Sequence, residues 1–292
     1  MITMTILIDS ETKVLVQGIT GSVGSFQTKI MKDYGTKVVA GVTPGKGGKE
    51  VHGIPVYDFV EDAVQEHEID ATICFVPGPF TKGAAIEAMQ AEIPFVVLTA
   101  EGVPIHDMMD LINLSKKKEA TLLGPDTPGL ISPGESKLGV HPNDMMLPGK
   151  VGVMSRSGAL SYEICKCLTE NDLGQSTVVG IGGGPLWGMT QKDVVKLFNE
   201  DDETEIIVIA GEVGGDMEQK AAEYIKYQVE KPVVALIVGR SAPQGKQLGH
   251  AGAIVEGESG KAQNKIDALE DAGAKIAKDP SNIVDKIREI KD

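Results

Sequence analysis

Lys13-Val14-Leu15-Val16-Gln17-Gly18-Ile19-Thr20-Gly21-Ser22-Val23-Gly24 runs a short apolar segment straight into a glycine-spaced turn. The segment does not alternate with polar residues, which is how a strand covered on both faces reads. A glycine turn between such a strand and a helix opens a doubly wound α/β unit, and free backbone N–H groups at the helix start gather anions. The spacing is G-x-x-G-x-x-G rather than the dinucleotide G-x-G-x-x-G, though glycines that let backbone approach a phosphate can do the same work in either. A tight turn without a ligand would read the same way.

The pattern repeats outward from this stretch. Residues 37–42, 71–76, 95–100 and 121–124 read as further buried strands, with helices over Thr81–Ala91 and Ile105–Lys118. Asp58 with Glu61 at capping-box spacing predicts another helix start. A second series follows Lys150, with strands at 151–154, 177–181, 205–210 and 232–238 and a helix opening at Asp216, where Gln219 is placed to reach back as a cap. Between the series, Gly124-Pro125-Asp126-Thr127-Pro128-Gly129, Ser132-Pro133-Gly134 and Leu147-Pro148-Gly149 carry the proline and glycine density of a connection. The fold class is α/β: an N-terminal Rossmann-like domain over 1–126, then a second doubly wound, flavodoxin-like parallel-sheet domain over 127–292, with a connector around 125–150. In such sheets ligands collect outside the carboxyl ends of the strands.

A length of 292 residues accommodates two domains, and 41% hydrophobic with 24% charged residues is enough to fill their cores. The net charge of -14 argues against nucleic acid as the main partner, while local backbone N–H groups can still hold small anions. Cys74, Cys165 and Cys167 form no disulfide framework or zinc set, which suggests a reducing compartment. Met1–Lys13 carries Asp9 and Glu11 and lacks the basic and apolar regions of a leader. No apolar run approaches the ~20 residues of a membrane span. A cytoplasmic location is expected.

Four further turns carry candidate chemistry. Gly41-Val42-Thr43-Pro44-Gly45-Lys46-Gly47-Gly48-Lys49 ends the second strand without the Asp or Glu that a nicotinamide site places there. Lys46 and Lys49 suit a ligand with extra phosphate, such as coenzyme A with its diphosphate and 3′-phosphate; a solvated loop is the plain alternative. Met154-Ser155-Arg156-Ser157-Gly158 again joins strand to helix, with Ser157 and Gly158 at the helix start and Arg156 as a nearby positive charge, although serine N-capping alone would explain the serines. Glu212, at the carboxyl end of the 205–210 strand, could fix the tautomer of an imidazole and leave its other nitrogen free to attack. The candidate imidazole is His250, set among small residues in Gly249-His250-Ala251-Gly252-Ala253-Ile254, where a packing role is the alternative. His52, His67, His106 and His141 read as surface residues.

Taken in order, G-I-T-G-S, G-V-T-P-G-K-G-G, T-P-G-L-I-S-P-G-E, S-R-S-G-A-L-S-Y-E, G-I-G-G, G-E-V-G-G and G-H-A-G-A-I resemble, essentially end to end, the α subunits of succinyl-CoA synthetases, the nucleotide-dependent succinate–CoA ligases. The resemblance implies an acid–thiol ligase with a place in the tricarboxylic acid cycle. It implies coenzyme A contacts at Thr20, Gly21, Ser22, Val23, Lys46, Thr99, Ala100 and Glu101, and a phosphate-receiving helix start at Ser157 and Gly158. It further implies transient phosphorylation of His250 beside Glu212, and Tyr162 near the organic acid. The nucleotide, ADP/ATP or GDP/GTP, would lie with Mg²⁺ on a β subunit of ATP-grasp type, in an αβ or α2β2 assembly, and no metal site is expected on this chain. G-x-x-x-x-G-K-[ST] is missing here, as that division requires.

The implied reaction is a reversible phosphoryl relay. Acyl-CoA and phosphate give acyl phosphate and coenzyme A; the histidine takes the phosphoryl group and passes it to a nucleoside diphosphate. An imidazole of ordinary pKa, about 6.5, would be largely neutral and nucleophilic near pH 7. The chain departs from the family where G-P-N-C-P-G becomes Gly124-Pro125-Asp126-Thr127-Pro128-Gly129, and where a usual Asp is missing from Gly182-Gly183-Gly184-Pro185-Leu186-Trp187-Gly188. Succinate therefore leads, with malate or another short carboxylic acid open. A non-catalytic coenzyme A sensor and a nicotinamide dehydrogenase are the rivals from other classes, the first opposed by His250 and the second by Lys46.

Overall fold

The computed structural model describes residues 6–291, so the opening of the Met1–Lys13 stretch lies outside the described residues. The first half runs β1 (Lys13–Gln17), α1 (Ser22–Tyr34), β2 (Lys37–Val42), β3 (Glu50–Val51), β4 (Ile54–Tyr57), α2 (Val60–Glu66), β5 (Ala71–Cys74), α3 (Gly78–Gln90), β6 (Phe95–Leu98), α4 (Ile105–Lys118) and β7 (Thr121–Leu123). These strands form one sheet in the order β3-β4-β2-β1-β5-β6-β7, parallel except for the β3–β4 edge pair. Counting parallel strands alone, the order is the dinucleotide-fold 3-2-1-4-5-6, with its reversal between β1 and β5. Val14, Leu15 and Val16 are fully buried because helices cover both faces, which is why β1 reads as a continuous apolar run. Gly18 is fixed by this reversal. Its φ of +79° is left-handed, and a Cβ there would lie 2.6 Å from the Phe75 carbonyl oxygen just beyond β5.

The second half runs β8 (Gly129–Ser132), β9 (Ser136–Gly139), β10 (Pro148–Ser155), α5 (Gly158–Thr169), β11 (Gln175–Gly180), α6 (Gln191–Glu200), β12 (Ile206–Glu212), α7 (Met217–Gln228), β13 (Val233–Val238), α8 (Ala262–Asp271), β14 (Lys275–Ala277) and α9 (Pro280–Lys291). Its sheet has the order β14-β13-β12-β10-β11-β8-β9. The parallel strands follow the flavodoxin order 2-1-3-4-5, with the reversal between β10 and β12. The connector is not irregular throughout. Residues 129–139 form the β8–β9 hairpin, and β8 pairs antiparallel with β11 through Ile131 and Leu130, so this segment extends the second sheet.

Several local expectations are corrected. The Asp58–Glu61 box does not form: α2 begins at Val60 after Phe59, and the Asp58 carboxylate accepts the Gly47 N–H at 2.9 Å, bracing the lysine loop instead. Asp216 does occupy the cap position of α7, but its side chain makes no capping bond, and Gln219 donates to the Ser259 carbonyl. His141 is not a surface residue. It is 1% exposed, packs edge-on against the Tyr162 ring, and burial pushes its pKa down to about 3. The three cysteines are free, with Cys74 and Cys165 buried and their thiols pushed up in pKa by that burial. Among the described residues no helix is long and apolar enough to cross a membrane.

Candidate active site

The reversal in the second sheet brings the ends of β10 and β12 side by side, with Ser155 in register with Ala210. The chain beyond Ser155 gives Arg156 and then Ser157, which caps α5 by accepting the Leu160 N–H; Ser155 Oγ accepts the Ser157 N–H and donates to its carbonyl. The positive end of the α5 dipole therefore lies at Gly158. Tyr162 hydroxyl and Pro128 stand at 3.4 Å from where a Gly158 Cβ would be. Across the reversal, Glu212 ends β12 with its side chain almost covered.

His250 arrives on the long segment between β13 and α8. That segment folds back through an isolated Gln247–Ile254 bridge and a tight turn in which Ala253 N–H donates to the His250 carbonyl. Gly252 N–H donates to the Gly183 carbonyl at 3.0 Å, pinning the turn to the loop after β11. The result sets His250 Nδ1 2.8 Å from Glu212 Oε2, with the imidazole 30% exposed and the carboxylate 9%. When Nδ1–H donates to Glu212, the neutral ring keeps its lone pair on Nε2. Gly183 has to be bare: a Cβ there would meet His250 Cγ at 2.5 Å and Cδ2 at 2.6 Å.

The hydrogen bond that His250 Nδ1–H donates to Glu212 raises the His250 pKa, aided by the charges of Glu212 and Asp126 and opposed by burial and Arg156. This corrects the expectation of an imidazole with ordinary basicity: the ring is more basic than a free imidazole, so a given fraction of neutral nucleophile is reached at a higher pH. Because the folded pKa lies above the unfolded one, the pair's contribution to stability is full below the unfolded value and fades as pH rises through the folded value. In Glu212→Gln the His250 pKa is expected to fall, read by NMR titration of the ring protons. The glutamine amide can also donate to Nδ1 and hold the opposite tautomer, so phosphoryl uptake should drop by roughly 10²–10⁴-fold. An unmoved titration would show that Glu212 does not govern the ring.

Behind Glu212 lies a buried set of charges. Arg156, 1% exposed, does not face an incoming anion as its position near Ser157 suggested. Its Nη2 lies 3.2 Å from Glu212 Oε1, close enough for ion pairing but out of line for a hydrogen bond. Nη1 lies 3.6 Å from Glu218 Oε1 and donates to the Gly214 carbonyl, and the guanidinium sits 4.9 Å over the Trp187 ring. Glu218 Oε1 accepts from Glu212 N–H and Gln191 Nε2, and its Oε2 takes a hydrogen bond from Lys265 Nζ. Lys265 and Glu218 are fully buried, and burial lowers the Lys265 pKa. Two cations and two anions thus balance in the interior. Glu218, Lys265, Trp187, Asp126 and Gly183 were not singled out as site residues from the sequence. Glu218 and Lys265 read as ordinary solvated charges on amphipathic helices, whereas Asp126, Gly183 and Trp187 fell within the two stretches that depart from the family pattern. A cavity of ≈ 680 Å³, lined by Trp187, Thr190, Lys192, Lys220 and Gly252, adjoins the His250 loop without including His250 itself.

The residues expected to hold coenzyme A follow the carboxyl ends of β1, β2 and β6. α1 begins at Ser22 with Gly21 as its cap and no side-chain capping bond; Gly21, Ser22 and Val23 are exposed. Thr20 N–H points to Thr43 Oγ1 at 3.4 Å, joining the first turn to the lysine loop, where Lys46 is exposed. Thr99 Oγ1 donates to the Cys74 carbonyl, Ala100 carbonyl accepts Asp126 N–H at 3.0 Å, and Glu101 is exposed. The structure thus places His250 against Glu212 directly, sets Ser157 and Gly158 on the neighbouring strand end, and ties Ala100 to the connector. Tyr162 lies beside Gly158, its hydroxyl raised in pKa by burial.

Family models match the chain in two places: a CoA binding domain over residues 9–102 and a CoA-ligase over 154–275. The chain is 53% identical over 290 residues to the succinate–CoA ligase [ADP-forming] subunit alpha 1 of Archaeoglobus fulgidus, covering 99% of both chains. It is 51% identical to the corresponding alpha subunit of Aquifex aeolicus, over 98% of this chain and 95% of that one. Among solved structures, ATP citrate lyase from Methanothrix soehngenii, in complex with citrate and coenzyme A, superposes with a TM-score of 0.88 at 25% identity. The match covers 98% of this chain but 52% of the lyase, so this chain spans about half of that protein.

Proposed function

This chain belongs to the family of succinate–CoA ligase α subunits, and we propose that it performs the family's reaction by passing a phosphoryl group through His250. It binds coenzyme A and acts as the α subunit of a nucleotide-dependent acid–thiol ligase. The observation that carries the relay is the 2.8 Å contact of His250 Nδ1 with Glu212, which leaves Nε2 as the free nitrogen on a partly exposed ring.

In the breakdown direction, a phosphate oxygen attacks the thioester carbonyl of succinyl-CoA, the C–S bond breaks, and the thiolate leaves to be protonated. His250 Nε2 then attacks phosphorus in succinyl phosphate; a P–N bond forms, the P–O bond to the acyl group breaks, and succinate departs as its carboxylate. Glu212 stabilises the positive charge that grows on the ring. The Gly158 end of α5 offers backbone N–H groups and a positive dipole to the transferring oxygens. The P–N bond finally breaks as a nucleoside diphosphate takes the group. Thr20–Val23, Lys46 and Thr99–Glu101 hold coenzyme A, and Tyr162 lies on the acid side. The nucleotide and Mg²⁺, which supplies charge neutralisation on phosphate oxygens, belong to a β partner of ATP-grasp type.

The purified chain with such a β partner should form succinyl-CoA from succinate, coenzyme A and ATP or GTP, with kcat/KM for succinate above those for malate, acetate and citrate. Equal or faster turnover of another acid would reassign the substrate. No thioester with any acid would remove the ligase reading of this pairing.

A further inference from the structure

We propose that Asp126 is a positioning residue that ties the coenzyme A turn to His250, and that its carboxylate is a second charge partner of the imidazole. The inference rests on the relay described above. Asp126 occupies a point where three pieces of the site meet. Its backbone N–H donates to the Ala100 carbonyl in the turn after β6, so its main chain is anchored to the coenzyme side. Its carboxylate lies against Gly183 in the loop after β11, where the Gly183 backbone N–H favours the ionised form. A Cβ built on Gly183 would meet His250 Cγ and Cδ2 at 2.5 and 2.6 Å and Asp126 Oδ2 at 2.9 Å, so ring edge and carboxylate converge over the same bare backbone. Gly183 in turn holds the histidine loop through its carbonyl and Gly252 N–H.

Asp126 has φ +57°, in the left-handed region that Asp and Asn tolerate better than other side chains, and this directs the carboxylate back toward the Gly182–Gly183 turn. The groups that face it are Glu101 from the turn after β6, Glu212 from the end of β12 and His250; Arg156 stands on the far side, against Glu212. Burial and the two glutamates raise the Asp126 pKa while His250 opposes them, and the Asp126 charge adds to that of Glu212 in raising His250. The imidazole is thus held between two carboxylates with different anchors. Glu212 belongs to the buried charge set, and Asp126 to the turn that contacts coenzyme A. A shift of that turn on ligand binding moves Asp126 with it.

Asp126→Asn isolates the charge. Asparagine keeps the shape, keeps an oxygen for Gly183 N–H, and suits the left-handed backbone, so a purely structural role would leave the ring's titration unchanged. In the holoenzyme with labelled histidine, assigned by comparison with His250→Asn, the His250 pKa in Asp126→Asn should fall by roughly half a unit to one unit, as expected for losing one of two nearby carboxylates. The acid limb of phosphoryl uptake should move down by the same interval. Addition of coenzyme A should shift the His250 titration in the unsubstituted enzyme and shift it less in Asp126→Asn, with Asp126→Glu recovering part of the effect. A titration identical in the two proteins would overturn the inference, and so would an identical response to coenzyme A. The titration needs no turnover, so these results stand apart from failure of the relay, which would appear as no phosphohistidine in the unsubstituted enzyme.

Discussion

His250→Asn takes up no acid-labile, base-stable phosphate when incubated with Mg²⁺, nucleoside triphosphate and the β partner, and its thioester synthesis falls by roughly 10⁴-fold or more, the scale of losing a covalent nucleophile. Asparagine can still offer an N–H to Glu212, so the carboxylate and the charges behind it keep a partner. What it lacks is a second nitrogen with a lone pair on the far side of the ring. The ring is partly exposed on a loop, and the adjoining backbone bonds of Ala253 and Gly252 do not involve the side chain, so the fold should survive. Unchanged circular dichroism and thermal unfolding would confirm that the loss is chemical. Radiolabel transfer followed by acid and base treatment is the measurement. Label that persists in the variant would place the phosphoryl group on another residue and remove the relay.

Much of this architecture could be read from the chain alone, for a physical reason that particular elements show. β1 and β2 run between the same residues in sequence and structure because helices cover both sheet faces, leaving apolar runs that end where glycine or proline turns begin, and α4 does so because its buried Met108, Leu111 and Ser115 recur at helical spacing after Pro104. The β8–β9 hairpin was not legible, since its strands are four residues each and lie within the glycine and proline density that signals a connection. Asp58 carried a capping signature, but tertiary contact with Gly47 claimed its carboxylate. The His250–Glu212 pairing could be anticipated because both residues stand alone in glycine-rich turns. Arg156, Glu218 and Lys265 could not, because their significance comes from burial, and a charged residue on a helix or after a strand gives no sign of whether the next layer will cover it.

That buried set makes the second large prediction. Lys265→Met removes one cation and leaves Arg156 alone against two carboxylates, Glu212 and Glu218, in an interior where the Lys265 and Glu218 side chains are fully covered. Breaking a buried pair by removing one partner costs about 3–5 kcal/mol, because the charge left behind has lost both water and counter-ion. For a chain of this size that is a fall in unfolding midpoint of roughly 10 °C. Glu218→Gln combined with Lys265→Met removes one charge of each sign. Arg156 and Glu212 then balance, and the glutamine oxygen can still accept from Glu212 N–H and Gln191. The double variant should therefore recover most of the lost stability in urea or thermal unfolding, since replacing a buried pair by neutral groups of similar size is often close to neutral. Phosphoryl uptake should not recover in step. With Glu218 uncharged, Arg156 has only Glu212 to draw on, and the carboxylate it pulls is the one that raises the His250 pKa. The His250 titration should thus sit lower in the double variant than in the unsubstituted protein, at nearly equal stability. A double variant no more stable than Lys265→Met would show that the four charges do not act as a balanced set. Equal stability with an unmoved His250 titration would show that they hold the fold without setting the histidine.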